Sequence, residues 1–299
     1  MKKKVIILLL VFLLSFPVSV SAVSEIATMS VETRSKILDG AKTISRQIAD
    51  KYVFDEQDEY EEVTDLYPDA KKIPILMFHE VGYMESKEFN DSNYILKASL
   101  ESKMLYLSSN GYTTITMADL YDNWTKGTKL PEKPVILTFD DGYASHFTYV
   151  KDVLDRFNAK GTFYIVQDRL FMGIENRNLD GVKALHEAGQ EIGVHSYSHP
   201  DFSKMTYDEI YKEVSTSKTF LEDNLGIKLS TFSYPYGNYN NAAIKVLKDL
   251  GFKTSVTTKR GIGDPNQFPE DAQYKISRYN VDFNTDENRF IQMLEGTYK

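Results

Sequence analysis

With 299 residues, 42% of them hydrophobic, the chain has enough apolar surface for one large domain or two small ones around a packed core. Its net charge of -8, with no basic cluster beyond Lys2-Lys3-Lys4, argues against a nucleic-acid phosphate backbone as partner. The lack of cysteine removes both a disulfide framework and a lipoprotein-type attachment.

The first residues read as an export signal. Met1-Lys2-Lys3-Lys4 is a charged leader, residues 5–16 are apolar, and Val20-Ser21-Ala22 offers compact residues for cleavage after Ala22. A retained membrane anchor is the alternative, but about 12 apolar residues fall short of the roughly 20 that a spanning helix needs. Residues 1–22 are thus expected to be a signal peptide, and the mature protein to be secreted or associated with the cell surface. Over 23–71, Ile37, Ala41, Ile44 and Ile48 recur at helical spacing, and the acidic run from Asp55 to Glu62 follows. An N-terminal helix and a solvated linker are expected there.

From residue 72 to 299 short strand and helix patterns alternate. Strands are expected over 73–78, 112–116, 135–139, 162–166, 191–194, 230–234, 254–257 and 275–278. Helices are expected near 100–109, ending at Gly111, and near 149–157, ending before Gly161. Thr206-Tyr207-Asp208-Glu209 forms a capping box opening a long helix that Gly226 ends, and further helices are expected near 241–250 and 286–294. Eight strands joined by helical crossovers must run parallel, so the α/β class follows, with the sheet closed into a barrel. An open doubly wound sheet is the second reading. No glycine fingerprint for a dinucleotide follows the first strand.

Two motifs stand at strand ends, where α/β folds build their sites. Val135-Ile136-Leu137 runs into Thr138-Phe139-Asp140-Asp141-Gly142, and adjacent carboxylates repel unless a cation or proton lies between them. About 50 residues later, Ile192-Gly193-Val194 runs into His195-Ser196-Tyr197-Ser198-His199. Two imidazoles and a carboxylate make a complete protein ligand set for a catalytic divalent ion, with positions left open for water and substrate. Zn²⁺ suits it best, with Co²⁺, Ni²⁺, Mn²⁺ or Fe²⁺ as further options.

With a third stretch, Phe232-Ser233-Tyr234-Pro235-Tyr236-Gly237, these motifs resemble the NodB-like polysaccharide deacetylases of carbohydrate esterase family 4, over residues 72–299. The resemblance implies a distorted (β/α) barrel in which Asp141, His195 and His199 hold the metal and Asp140 is the general base. It also implies that the backbone N–H of Tyr236 helps the metal hold the oxyanion formed from an acetamide. The expected partner is an N-acetylglucosamine-containing polysaccharide, and the enzyme is expected to be a monomer.

The chain departs from the common pattern twice. Ser233 stands where most members carry an arginine, and no histidine follows His199 to protonate the leaving amine. His79, at the end of the first strand, is the substitute acid, an order similar to the branch acting on exported poly-β-1,6-N-acetylglucosamine. Arg278, at the end of the strand near 278, is the substitute for orienting Asp140 through a charge-assisted bond. Tyr143, Tyr234 and Tyr236 are candidate groove residues, whereas His146 and His186 are expected on the surface. Peptidoglycan or chitin oligomers are the alternative substrates. A binding protein on the same fold that has lost catalysis is a separate reading, opposed by the intact Asp140, Asp141, His195 and His199.

Overall fold

The computed structural model describes residues 70–83, 92–267 and 271–299. The expected signal peptide and nearly all of the expected helix and linker lie outside the described residues. Among the described residues no helix is long and apolar enough to cross a membrane.

The chain passes through β1 (Ile75–Phe78), β2 (Glu80–Gly82), β3 (Tyr94–Leu96), α1 (Lys97–Ser109), β4 (Thr113–Ile115), α2 (Met117–Lys126) and β5 (Pro134–Phe139). It continues with α3 (Tyr149–Arg156), β6 (Thr162–Ile165), α4 (Leu179–Glu187), β7 (Glu191–Val194), α5 (Tyr207–Leu225) and β8 (Thr231–Ser233). Last come α6 (Asn241–Asp249), β9 (Thr254–Arg260), β10 (Ile276–Asn280) and α7 (Glu287–Leu294). All eight expected strands exist, and every pairing among them is parallel.

The ring, however, closes with seven strands rather than eight. β1 pairs with both β10 and β5, so β1, β5, β6, β7, β8, β9 and β10 form the barrel. β4 pairs with Pro134–Ile136 of β5, while β6 pairs with Thr138 and Phe139 farther along the same strand. β4 therefore fills only the N-terminal half of an edge that β6 takes over. The pair β2 and β3, a short parallel ribbon outside the barrel, was not expected.

Residues alternating along each strand divide between two cores, as a pleat of period two requires. Ile75, Ile136, Tyr164, Val256 and Ile276 pack with Met117, Leu120 and Trp124 of α2. Their neighbours Leu76, Leu137, Phe139, Phe163, Ile165 and Phe232 pack with residues of the surrounding helices. Burying a side chain such as Phe139 contributes roughly 1.5–3 kcal/mol. On β7, Gly193 has no side chain because a Cβ there would collide with the Tyr164 ring. The α5 capping box is present, and Gly226 ends the helix in the left-handed conformation.

Candidate metal centre and its flanking residues

The candidate metal ligands and Asp140 sit at or just past strand ends. Asp140 and Asp141 follow β5, His195 follows β7, and His199 lies in the loop beyond it. His195 and His199 bring their Nε2 atoms to 3.5 and 3.4 Å from Asp141 Oδ1. Ligand atoms of the three residues all lie within 4.8 Å of one another. The ring of His195 is set by its other nitrogen, since Nδ1 is 2.6 Å from the Ser233 carbonyl and donates to it. That tautomer leaves the Nε2 lone pair for a metal. Asp141 Oδ1 is buried and has no aligned hydrogen-bond donor among the described residues. A buried carboxylate oxygen that two imidazole nitrogens approach is the donor set a divalent cation takes, so these residues fit the metal.

Backbone strain is concentrated at this site. Asp141 (φ 78°), Ser196 (φ 66°), His199 (φ 64°) and Tyr236 (φ 58°) all adopt the left-handed conformation, which costs a non-glycine residue on the order of 1 kcal/mol. Neighbouring bonds hold them in place. His199 N donates to Ser196 Oγ, and Glu213 of α5 accepts from Tyr197 N, Ser198 N and Ser198 Oγ. The 195–199 loop is therefore tied to a helix.

Asp140 is only 2% exposed and lies against Arg278, which is fully buried. Arg278 Nη1 and Nη2 donate to Asp140 Oδ1 and Oδ2 at 2.8 and 2.7 Å. Ser233 Oγ donates to Asp140 Oδ2 at 3.0 Å and accepts from Arg278 Nη2. Burial by itself would raise the Asp140 carboxyl, but the charge and hydrogen bonds of Arg278 outweigh it and hold the group down at about 2. The small Ser233 thus touches the carboxylate that Arg278 reaches from β10. Arg278 is the third of five residues in β10, not its last, so it lies inside the barrel. Between β9 and β10 the register shifts, and the Thr257 carbonyl accepts from Arg278 Nε at 2.9 Å.

His79 follows β1 as expected, and its Nδ1 is buried without a partner among the described residues. Burial is the largest influence on its ring and lowers its pKa, against the opposing pull of the Asp140 and Asp141 charges. Tyr236 is 59% exposed in the turn after β8, with its ring 4.5 Å from that of His199. Tyr143 is half-buried beside Asp141, and the Arg177 guanidinium lies over its ring.

Two expectations fail. Tyr234 is no groove residue: it is fully buried, with its ring stacked on Tyr239 at 4.8 Å. His146 is not on the surface either. It is fully buried between Phe139, Tyr143 and Phe163, and its Nε2 lies 2.7 Å from the His79 carbonyl, because the chain turns back beneath β1 just after Gly142. His186 is half-buried on α4.

No sequence pattern marks Arg169 and Arg177, both in the loop between β6 and α4. Arg169 Nη1 is 2.9 Å from Asp141 Oδ1, and Arg177 Nη2 donates to the Asp141 carbonyl at 2.8 Å. Isolated arginines in a loop have no periodicity or spacing to mark them. Glu213 was hidden similarly, as one acid among several on the exposed side of a helix.

The polysaccharide deacetylase family model matches residues 127–255. The chain is 27% identical over 211 residues to the putative polysaccharide deacetylase YxkH of Bacillus subtilis, covering 70% of this chain and 71% of that protein. It is 34% identical over 131 residues to the peptidoglycan-N-acetylglucosamine deacetylase PgdA of Listeria monocytogenes, covering 41% of this chain but only 26% of that protein. Among solved structures, the Streptococcus pyogenes deacetylase PplD superposes with a TM-score of 0.69 at 24% identity, covering 75% of this chain and 99% of PplD. IcaB from Ammonifex degensii superposes with a TM-score of 0.64 at 20% identity, covering 76% and 97%. These two likenesses show the shared barrel fold. The family model and these curated relatives show that the chain is similar to polysaccharide deacetylases, the model over residues 127–255.

Proposed function

We propose that the protein is a metal-dependent N-deacetylase of N-acetylglucosamine-containing polysaccharides. One observation carries this reading: two imidazoles and Asp141 converge on one point while the neighbouring Asp140 is held ionised by Arg278. Asp141, His195 and His199 would hold the ion, with Zn²⁺ the leading choice for this donor set. Bound there, it would activate water and polarise the acetamide carbonyl.

The chain's own residues supply the remaining parts. Asp140, kept anionic and fixed in orientation, accepts the proton from the attacking water. Arg278 positions Asp140 and does not itself touch the substrate. The left-handed backbone of Tyr236 beside His199 orients its N–H as an oxyanion donor. His79, within reach of the charges of both aspartates, protonates the departing amine. The chain leaves the cell through residues 1–22 and acts as a monomer at or beyond the surface.

For the substrate, the histidine after β1 and the lack of any histidine after His199 favour poly-β-1,6-N-acetylglucosamine. The likeness to PgdA favours peptidoglycan. Acetate release should be measured side by side on poly-β-1,6-N-acetylglucosamine, peptidoglycan and chitin oligomers, with and without chelator. Chelation should abolish release and Zn²⁺ restore it, and Asp140→Asn should bind metal without turnover. Turnover that survives complete metal removal overturns the reading. Glycan binding without acetate release, in metal-loaded protein, would favour the binding-protein alternative.

A further inference from the structure

The loop between β6 and α4 brings two cations to Asp141, and they are held differently. Arg177 is 7% exposed, donates a hydrogen bond to the Asp141 backbone carbonyl and lies over the Tyr143 ring. Both contacts fix it in place. The Arg169 side chain is 23% exposed, and Nη1 approaches Asp141 Oδ1 at 2.9 Å. That oxygen nevertheless has no aligned donor among the described residues, so the contact is an ion pair without a directed hydrogen bond. It is also the oxygen that both imidazole Nε2 atoms approach.

We propose that Arg169 is a displaceable counter-cation for the carboxylate that holds the metal, so that it sets the metal affinity of the site by competing for Asp141 Oδ1. The physical need is clear. Asp140 and Asp141 are adjacent buried carboxylates, and Arg278 covers only Asp140. Without metal, Asp141 needs a positive charge of its own, because an uncompensated buried carboxylate is costly. With metal, a guanidinium on the same oxygen is a like charge beside a dication. A loosely aligned, partly exposed arginine meets both conditions, since it neutralises Asp141 and can swing into solvent. A hydrogen-bonded arginine such as Arg177 could not be removed so easily.

The inference rests on the metal-site reading above, and its tests separate the two. Zn²⁺ affinity is measured by competition with a chromogenic chelator in wild type, Arg169→Gln, Arg169→Met and Asp141→Asn. The neutral Arg169 variants should bind Zn²⁺ at least about tenfold more tightly than wild type while melting at a lower temperature without metal. Equal or weaker Zn²⁺ binding by a folded Arg169 variant overturns the counter-cation role and leaves the metal site standing. Zn²⁺ binding that is indifferent to Asp141→Asn overturns both.

A second measurement uses the wild-type chain, so it does not depend on a variant that folds. Modification of Arg169 by a dicarbonyl reagent, mapped by peptide mass, should increase when Zn²⁺ is bound, with Arg177 modification unchanged. Protection of Arg169 by Zn²⁺, or no change, overturns the proposal.

Discussion

Arg278 has five N–H donors, and the barrel interior uses all of them. Thr257 O accepts from Nε, Thr138 Oγ1 and Asp140 Oδ1 from Nη1, and Asp140 Oδ2 and Ser233 Oγ from Nη2. Full satisfaction is the condition under which a buried guanidinium is tolerated. Removing one partner leaves the other charge buried alone. Arg278→Gln should therefore lower stability by about 3–5 kcal/mol in urea unfolding, and depress acetate release far more than it weakens Zn²⁺ binding. Lys103 illustrates the opposite balance. Its Nζ donates to Ser99 Oγ and to the Thr285 carbonyl, and burial, only partly offset by Asp282 and Asp286, lowers its pKa to about 8. Between about pH 8 and the unfolded value of 10.5, the unfolded chain keeps a proton that the folded chain has released. Stability from this group therefore rises with pH across that window, by up to about 3 kcal/mol. Unfolding of wild type and Lys103→Met at pH 8 and pH 10 should show the rise only in the difference between the two.

At the scale of elements, the 195–199 loop depends on α5. Glu213 occupies three donors of that loop, and supports of this kind commonly account for 10- to 100-fold in metal affinity. Glu213→Ala should weaken Zn²⁺ binding by at least about tenfold in a chelator competition while leaving the helical circular dichroism of α5 intact. On β7, Gly193→Ala would drive a methyl into the Tyr164 ring, whose hydroxyl pairs with Thr231 Oγ1 at 2.7 Å. A loss of roughly 1–3 kcal/mol, read by denaturant unfolding, is expected from such overpacking. Helix ends marked by local chemistry were legible beforehand: Thr206 and Glu209 announce the start of α5, and Gly226 its stop. α2 and α4 were not placed in advance, and neither was the β2–β3 ribbon. Three-residue strands such as β2 and β3 carry too little alternation to be recognised.

For the whole molecule, the three candidate metal ligands come from the ends of β5 and β7, which β6 separates, so the site exists only in the folded barrel and metal binding would be linked to folding. At Zn²⁺ a hundredfold above its dissociation constant the folded state should gain about 2.7 kcal/mol, raising the melting temperature by roughly 5–10 °C. His199→Ala should remove most of that shift in a thermal scan.

Read alone, the sequence determined the parallel α/β order and the placement of Asp140, Asp141, His195 and His199 at strand ends. Local pattern suffices there, because strand periodicity and short motifs are written in neighbouring residues. Only the tertiary structure decided that the ring closes with seven strands, that His146 and Tyr234 are buried, and that Arg169, Arg177 and Glu213 surround the site. Those outcomes depend on which distant segments meet, and that is set by register and packing across the whole barrel rather than by any single stretch of chain.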